Sequence, residues 1–91
     1  MGDPASAEAA LKESLVLSPD RLEAMINLGK LYLETGRLAD ARSVLARAVN
    51  RNRRSTLAIH SLGMVAYRSG DYETAEGLFR RAQELDPANV T

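Results

Sequence analysis

Two stretches of the chain, NLGKLYLETGRLADA at residues 27–41 and SLGMVAYRSGDYETA at residues 61–75, decide its fold. They align without a gap, from residue 27 on residue 61 to residue 41 on residue 75. The identical positions of the alignment are Leu28 and Leu62, Gly29 and Gly63, Gly36 and Gly70, and Ala41 and Ala75. Gly2 precedes Gly36 by 34 residues, which is also the distance along the chain from Gly36 to Gly70. An internal repeat with a period of about 34 residues is typical of a solenoid, in which one small helical unit is stacked on the next.

The composition of the chain indicates one helical domain with a finely packed core. Hydrophobic residues make up 45% of the 91 residues, but only one Phe and three Tyr are aromatic. The core must therefore be built from Leu, Ala, Val, Ile and Met. There is no Cys, which excludes a disulfide framework and a thiolate metal site or nucleophile.

Charge and hydropathy exclude several classes of partner. The formal net charge of +0 argues against a dedicated nucleic-acid surface and against a polybasic membrane-binding face, so neither partner is predicted. No apolar run approaches the roughly 18 residues of a transmembrane helix, and the first residues lack the basic region followed by an apolar stretch that is typical of a signal sequence. These observations favour a cytoplasmic location.

Apolar residues recur at helical spacing and predict five antiparallel helices, at about 4–17, 21–35, 38–50, 55–69 and 71–85. Ser55 and Asp71 are expected to cap the helices that follow them. Asp20 is expected to cap the second helix, with Glu23 completing a capping box. Gly36 and Gly70 each stand between two helical runs, where a residue with positive φ ends one helix and reverses the chain.

Small residues inside the predicted helices have a packing role. Gly29 and Ala41 in the first unit, and Gly63 and Ala75 in the second, lack bulk at places where two helices approach closely. The large side chains expected to fill the space beside them are Leu28, Leu45, Leu62 and Phe79.

The repeated positions resemble the motif of the tetratricopeptide repeat (TPR) family, which implies an all-α superhelix. In the first unit the motif residues are Met25, Leu28, Gly29, Tyr32, Ala41, Leu45 and Ala48. In the second they are Ile59, Leu62, Gly63, Ala66, Ala75, Phe79, Ala82 and Pro87. No Trp begins either unit, Ala66 replaces the usual Tyr, and Arg53 replaces the closing Pro of the first unit. The resemblance divides a single array, 1–91, into a half repeat at 2–19 and full repeats at 21–54 and 55–89, which we interpret as a piece of a longer protein.

The resemblance further implies a non-enzymatic interaction module, a scaffold or adaptor that binds a peptide or helix of a partner protein in a concave groove. By analogy with the family, the residues lining this groove are Glu23, Asn27, Lys30, Glu34, Leu57, His60, Ser61, Met64 and Arg68. The amide of Asn27 can both donate to and accept from a peptide backbone. An exposed Asn is equally consistent with a solvated surface position.

Two alternatives to groove binding remain at this point. The array is either a structural unit that self-associates through its last helix, where Leu78 and Leu85 would be uncovered, or a recruiting region of a larger enzyme. His60 is the only His, so no two-His metal site or catalytic pair is predicted, and no cofactor is implied. Arginines cluster around the third helix, at Arg37, Arg42, Arg47, Arg51, Arg53 and Arg54, a pattern more typical of a solvated face than of a phosphate-binding site.

Overall fold

The computed structural model describes residues 4–86, and within this range it contains five α-helices and no β-strand. The helices are α1 (Pro4–Leu17), α2 (Leu22–Glu34), α3 (Leu38–Arg51), α4 (Thr56–Arg68) and α5 (Tyr72–Leu85). The first and last residues of α1, α3 and α5 are each 34 residues apart, and so are those of α2 and α4. The all-helical prediction is confirmed. The motif positions Gly2 and Pro87, and the outer limits of the predicted units at residues 2 and 89, lie outside the described residues.

Short loops stack the helices in chain order. Loops of three or four residues join them, which makes consecutive helices run antiparallel. Each helix contacts the next along the chain, and α2 also contacts α4 directly. The resulting stack measures 34 × 25 × 23 Å along its principal axes.

The helix ends show which capping predictions hold. Ser55 accepts a hydrogen bond from the backbone N–H of Ala58 at 3.2 Å, and Asp71 accepts one from Thr74 at 3.3 Å. Both confirm the predicted caps. The predicted capping box at Asp20 is wrong: the N-cap residue of α2 is Arg21, which makes no side-chain cap.

The side chain of Asp20 has a different partner. Its carboxylate lies 3.0 Å from the guanidinium of Arg51, at the C-terminal end of α3. The ion pair links the α1–α2 loop to the next unit, so a tertiary contact replaces the local cap.

Two glycines end helices in the predicted way. Gly36 and Gly70 have φ values of +79° and +85°, in the left-handed region that favours glycine. The backbone N–H of Arg37 bonds the carbonyl of Tyr32 at 2.8 Å, and that of Asp71 bonds the carbonyl of Ala66 at 2.9 Å. These bonds close the last turns of α2 and α4 and direct the chain into the next helix.

Two other glycines lie where helices touch. A Cβ placed on Gly29 would collide with Cγ of Leu45, and one placed on Gly63 would lie 2.7 Å from Cε1 of Phe79. Both separations are far below van der Waals contact, so each glycine lets the large residue of the following helix nest against its backbone. The predicted packing role of Gly29 and Gly63 is confirmed.

The core runs through the middle of the stack. Leu45, Ile59 and Val65 are its largest fully buried side chains. Leu45 and Ile59 are motif residues, and the other motif residues that are buried are Met25, Leu28, Gly29, Tyr32, Ala41, Ala48, Gly63, Ala66, Ala75 and Ala82. Leu62 and Phe79 are only partly buried, and α1 has no fully buried residue. Packing is therefore densest in α2, α3 and α4 and looser at both ends.

Candidate partner-binding surfaces

One side of α2 is fully available to solvent. Glu23, Asn27, Lys30 and Glu34 are all exposed, and their spacings of four, three and four residues align them along the helix. None of these side chains makes a hydrogen bond or ion pair with another described residue. This row, which we call the α2 stripe, presents two carboxylates, an ammonium group and an amide.

The corresponding row of α4 is more apolar and less exposed. Leu57 is 53% exposed, Met64 is half-buried and Arg68 is exposed. Ser61 is buried, with 5% of its surface accessible, so its hydroxyl offers no exposed contact. The structure thus departs from the expectation that Ser61 lines a groove.

The burial of Ser61 has a clear cause. Ser61 stands one repeat after Asn27, at the same place on the equivalent helix, yet Asn27 is exposed. α4 packs beside α2, whereas no described helix packs on the far side of α2 in the same way. Ser61 is therefore buried because α2 lies beside α4. Asn27, at the equivalent position of α2, has no such neighbour and stays exposed.

The stack is tighter on one side than on the other. α2 and α4 contact each other, but α1, α3 and α5 have no Cα atoms within 8 Å of one another. Because α2 and α4 lie closer together than α1, α3 and α5 do, the surface of the stack curves toward α2 and α4. The α2 stripe and the exposed residues of α4 lie on these two helices.

The predicted site residue His60 lies elsewhere on α4. Its imidazole ring contacts the ring of Phe79 in α5, with centroids 5.2 Å apart. Nearby, Tyr67 and Tyr72 make an edge-on contact at 5.3 Å. These four rings join α4 to α5 and form the centre of a second surface, the end face, which also includes Glu76, Arg80 and Gln83.

The end face is open and aromatic. Tyr67 is 55% exposed and Tyr72 is 63% exposed. A shallow cavity of about 420 Å³ lies on it, lined by Tyr67, Tyr72, Ala75, Glu76, Phe79, Arg80 and Gln83. The sequence prediction placed the uncovered apolar residues of the last helix at Leu78 and Leu85. Both are instead partly buried and packed against the core.

A group of polar residues attaches α1 to the rest of the stack. Glu8 accepts a hydrogen bond from the Tyr32 hydroxyl at 3.2 Å and pairs with Lys12 at 2.8 Å and with Arg37. Arg37 also pairs with Asp40 and stacks over the Tyr32 ring, 4.4 Å from its centroid. The Lys12 ammonium, with help from Tyr32 and Arg37, holds the pKa of Glu8 below its ordinary value.

Some arginines of the cluster around the third helix form ion pairs, and the others face solvent. Arg37 and Arg51 pair with acids of neighbouring elements. The remaining arginines are exposed and have no ion-pair partner among the described residues: Arg42, Arg47, Arg53 and Arg54. The cluster is therefore partly structural.

Within residues 4–86 there is no grouping of three or more His, Asp or Glu side chains arranged to hold a metal ion. Over the same range no helix combines the length and apolar character needed to cross a membrane. The prominent features of the molecule are helix surfaces that face solvent.

The repeated helix pairs, their glycine contacts and their open surfaces define a helical repeat protein of the kind that binds other proteins. Models of the tetratricopeptide repeat match residues 1–62 and residues 57–89. The chain belongs to the tetratricopeptide repeat family, whose repeats are generally non-catalytic interaction modules that serve as scaffolds.

Two known proteins are similar to this chain over nearly its whole length. The BBSome complex member bbs-4 of Caenorhabditis elegans is 32% identical over 89 residues, which cover 98% of this chain and 19% of that protein. The crystal structure of MamA superimposes with a TM-score of 0.87 at 21% identity, covering 94% of this chain and 50% of that one. The second similarity shows the fold alone. The chain spans about one-fifth of the length of the first relative and half of the second.

Proposed function

We propose that this chain is a scaffold module that binds an extended peptide or a helix of a partner protein in the groove along α2 and α4. The observation that carries the proposal is the α2 stripe. Its four polar side chains are exposed, aligned and uncommitted to partners within the described residues, on a helix that packs directly against α4.

The two helices would contribute different chemistry to binding. On α2, the Asn27 amide can pair with a peptide N–H and carbonyl regardless of the peptide sequence. Lys30 and the two carboxylates select for charge along the peptide. On α4, Leu57 and Met64 offer apolar surface for a ligand side chain. The proposed ligand therefore has an accessible backbone, one apolar anchor and charges of both signs. Ser61 is not part of the proposed surface.

A relative supports the general role. The C. elegans protein that resembles this chain is named as a member of a complex, which fits a module that holds proteins together.

Selection from a random peptide library displayed on phage would test the proposal. Peptides retained by the wild-type chain are synthesised and their affinities are measured by calorimetry against Asn27→Ala and Lys30→Glu variants. We expect each substitution to weaken binding about five- to thirtyfold, since a hydrogen bond or ion pair to a ligand contributes roughly 1–2 kcal/mol.

Arg47→Ala provides the matched control, because Arg47 is exposed on α3 and lies outside the groove. Binding to this variant should equal that of the wild type. If the selected peptides bind all three variants equally, or if no peptide is enriched, groove binding by α2 and α4 is refuted.

A further inference from the structure

The loop between α3 and α4 carries more positive charge than the other loops of the stack. Arg53 and Arg54 stand where the preceding unit has Pro19 and Asp20. Residue 53 is also the place of the closing proline in the repeat motif, so an arginine there departs from the repeat. Both arginines are exposed, and helix packing therefore does not explain them.

A third arginine reaches this loop from α5. The guanidinium of Arg81 donates a hydrogen bond to the backbone carbonyl of Arg53 at 3.0 Å. The side-chain oxygen of Asn52 accepts one from the backbone N–H of Arg54 at 3.1 Å. We call Arg53, Arg54 and Arg81 the basic patch. Because both hydrogen bonds use backbone atoms of the loop, the side chains of Arg53 and Arg54 stay available to a partner.

No carboxylate neutralises the basic patch. Its three side chains are exposed, and none has an ion-pair partner among the described residues. The neighbouring Arg51 does have one, Asp20. In the sequence, no Asp or Glu occurs between Asp40 and Asp71, whereas six Arg do. Like charges without counter-charges repel one another, and an anionic partner removes this repulsion.

We propose that the basic patch binds a run of carboxylates in the same partner peptide whose apolar side chain lies on Leu57. This inference rests on the proposed function and adds the charge and orientation of the ligand. Leu57 is 53% exposed and follows Arg54 by three residues, at most about 11 Å of chain, so one peptide can contact both. Glu23 is the equivalent of Leu57 on α2, and it repels carboxylates on that side of the groove. The acidic run therefore lies next to the apolar anchor, over the loop and not over α2.

The composition of the basic patch favours a peptide over other polyanions. No aromatic residue occurs between Tyr32 and Tyr67, so the loop has no platform on which a nucleobase stacks. Nucleic-acid binders commonly neutralise about six to ten phosphates, and polybasic membrane segments have about four to eight cations. Three arginines match a short acidic segment of a protein.

Peptides of matched sequence and different charge test the proposal. A peptide enriched from the display library by the wild-type chain is synthesised with a run of Glu, Gln or Lys on one side of its apolar residue, and then on the other side. On one of the two sides, the Glu form should bind about tenfold more tightly than the Lys form. The difference should shrink as the salt concentration rises from about 50 mM to about 300 mM, because salt screens exposed charges.

Charge reversal in the protein provides the reciprocal test. Arg53→Glu/Arg54→Glu should bind the Glu form about tenfold or more weakly than the wild type does, and should prefer the Lys form. Both side chains are exposed and the carbonyl that accepts from Arg81 is retained, so the fold should persist, and circular dichroism verifies this. Equal binding of the Glu, Gln and Lys forms to the wild type, or unchanged binding of the Glu form to the variant, overturns the proposal.

Arg42→Glu/Arg47→Glu is the matched control. It changes the net charge by the same amount, at two exposed arginines of α3 that have no ion-pair partner among the described residues. The control should bind the Glu form like the wild type. A loss as large as that of Arg53→Glu/Arg54→Glu would mean that net charge and not the basic patch attracts the peptide, which also overturns the proposal.

The same measurements separate this inference from groove binding. A peptide that requires Asn27 but neither Arg53 nor Arg54 overturns the inference and leaves groove binding intact. A peptide that requires the two arginines but not Asn27 refutes groove binding, and with it the shared ligand proposed here. If a phosphoserine form binds where the Glu form does not, the assignment of carboxylates to the basic patch is wrong.

Discussion

At the scale of single residues, Gly63 and Gly77 have opposite roles although both lie inside helices. A Cβ on Gly63 would meet the Phe79 ring at 2.7 Å, whereas a Cβ on Gly77 would meet nothing within 4 Å. Gly63→Ala should therefore destabilise the fold by about 1–2 kcal/mol, because overpacking outweighs the higher helix propensity of Ala. Gly77→Ala should stabilise it by about 0.5–1 kcal/mol.

Thermal unfolding distinguishes these effects. A change of 1 kcal/mol shifts Tm by about 4–8 °C in a chain of this size, so the two variants should lie on opposite sides of the wild type. Equal Tm values for Gly63→Ala and Gly77→Ala would mean that the Phe79 ring relaxes without cost and that the close contact does not require glycine.

Residue-scale reasoning from sequence succeeded where the cause was local and failed where it was not. The positive φ of Gly36 and Gly70 and the caps at Ser55 and Asp71 depend only on neighbours along the chain. Asp20 was wrongly assigned because its partner, Arg51, lies two helices further along the chain. A capping pattern in the sequence shows that a side chain can bond the start of a helix. It does not show whether the fold brings another partner, such as Arg51, close enough to compete.

At the scale of elements, α1 is held differently from the other helices. It has no fully buried residue, and Glu8 links it to Tyr32 and Arg37 on the following elements. We predict that the α1 amides exchange hydrogen faster than those of α2 and α4, and that Glu8→Gln increases exchange in α1 selectively. Hydrogen exchange followed by NMR would measure both effects. Glu13→Gln, which changes an exposed carboxyl of the same helix, is the control.

The same contacts predict a dependence on pH. The pKa of Glu8 is lowered in the folded state, chiefly by its hydrogen bond with Lys12, so the folded state binds its proton less readily than the unfolded state. The contribution of Glu8 to stability is therefore present above the unfolded pKa of about 4.3 and is lost as the pH falls through the lower folded pKa. The protection factors of the α1 amides, which remove the intrinsic pH dependence of exchange, should decrease over this acidic range in the wild type. In Glu8→Gln they should already be low at neutral pH, and an identical pH profile of protection for both proteins would rule out this role of Glu8.

Helix caps give a second prediction for elements. Ser55 accepts a backbone bond at the start of α4, and its replacement by Ala should cost about 1 kcal/mol. Asp20→Ala removes only an exposed ion pair and should cost less, about 0–1 kcal/mol. Urea denaturation of both variants measures the difference. A larger loss for Asp20→Ala would indicate that its carboxylate supports α2 after all.

At the scale of the whole molecule, the repeat period was enough to predict the helices but not the surfaces. Five helices lie within a few residues of their predicted positions because the motif repeats the same packing. A repeat alignment treats equivalent positions alike, however, and their exposure depends on which unit lies beside them. Asn27 and Ser61 differ for this reason, and so do Leu33 and Tyr67. The end face could therefore be identified only once the stack was assembled.

The central place of Leu45 in the stack predicts how the molecule unfolds. Leu45 is fully buried on α3, against Gly29 of α2, and α3 also packs on α4. Its truncation to Ala should cost about 2–5 kcal/mol, a large part of the roughly 5–14 kcal/mol expected for a chain of 91 residues. Leu57→Ala, at a position 53% exposed, should change stability by less than about 0.5 kcal/mol.

Because every helix contacts its neighbours through one continuous core, the loss at Leu45 should lower the stability of the entire chain and not of α3 alone. Urea unfolding followed by far-UV circular dichroism reports all five helices, whereas tyrosine fluorescence reports Tyr32 in α2 and Tyr67 and Tyr72 at the end face. In Leu45→Ala, the urea midpoints measured by circular dichroism and by fluorescence should decrease by the same amount. If the fluorescence of the end face unfolded at a different urea concentration from the helices, α4 and α5 would be an independent unit and the single-core description would be wrong.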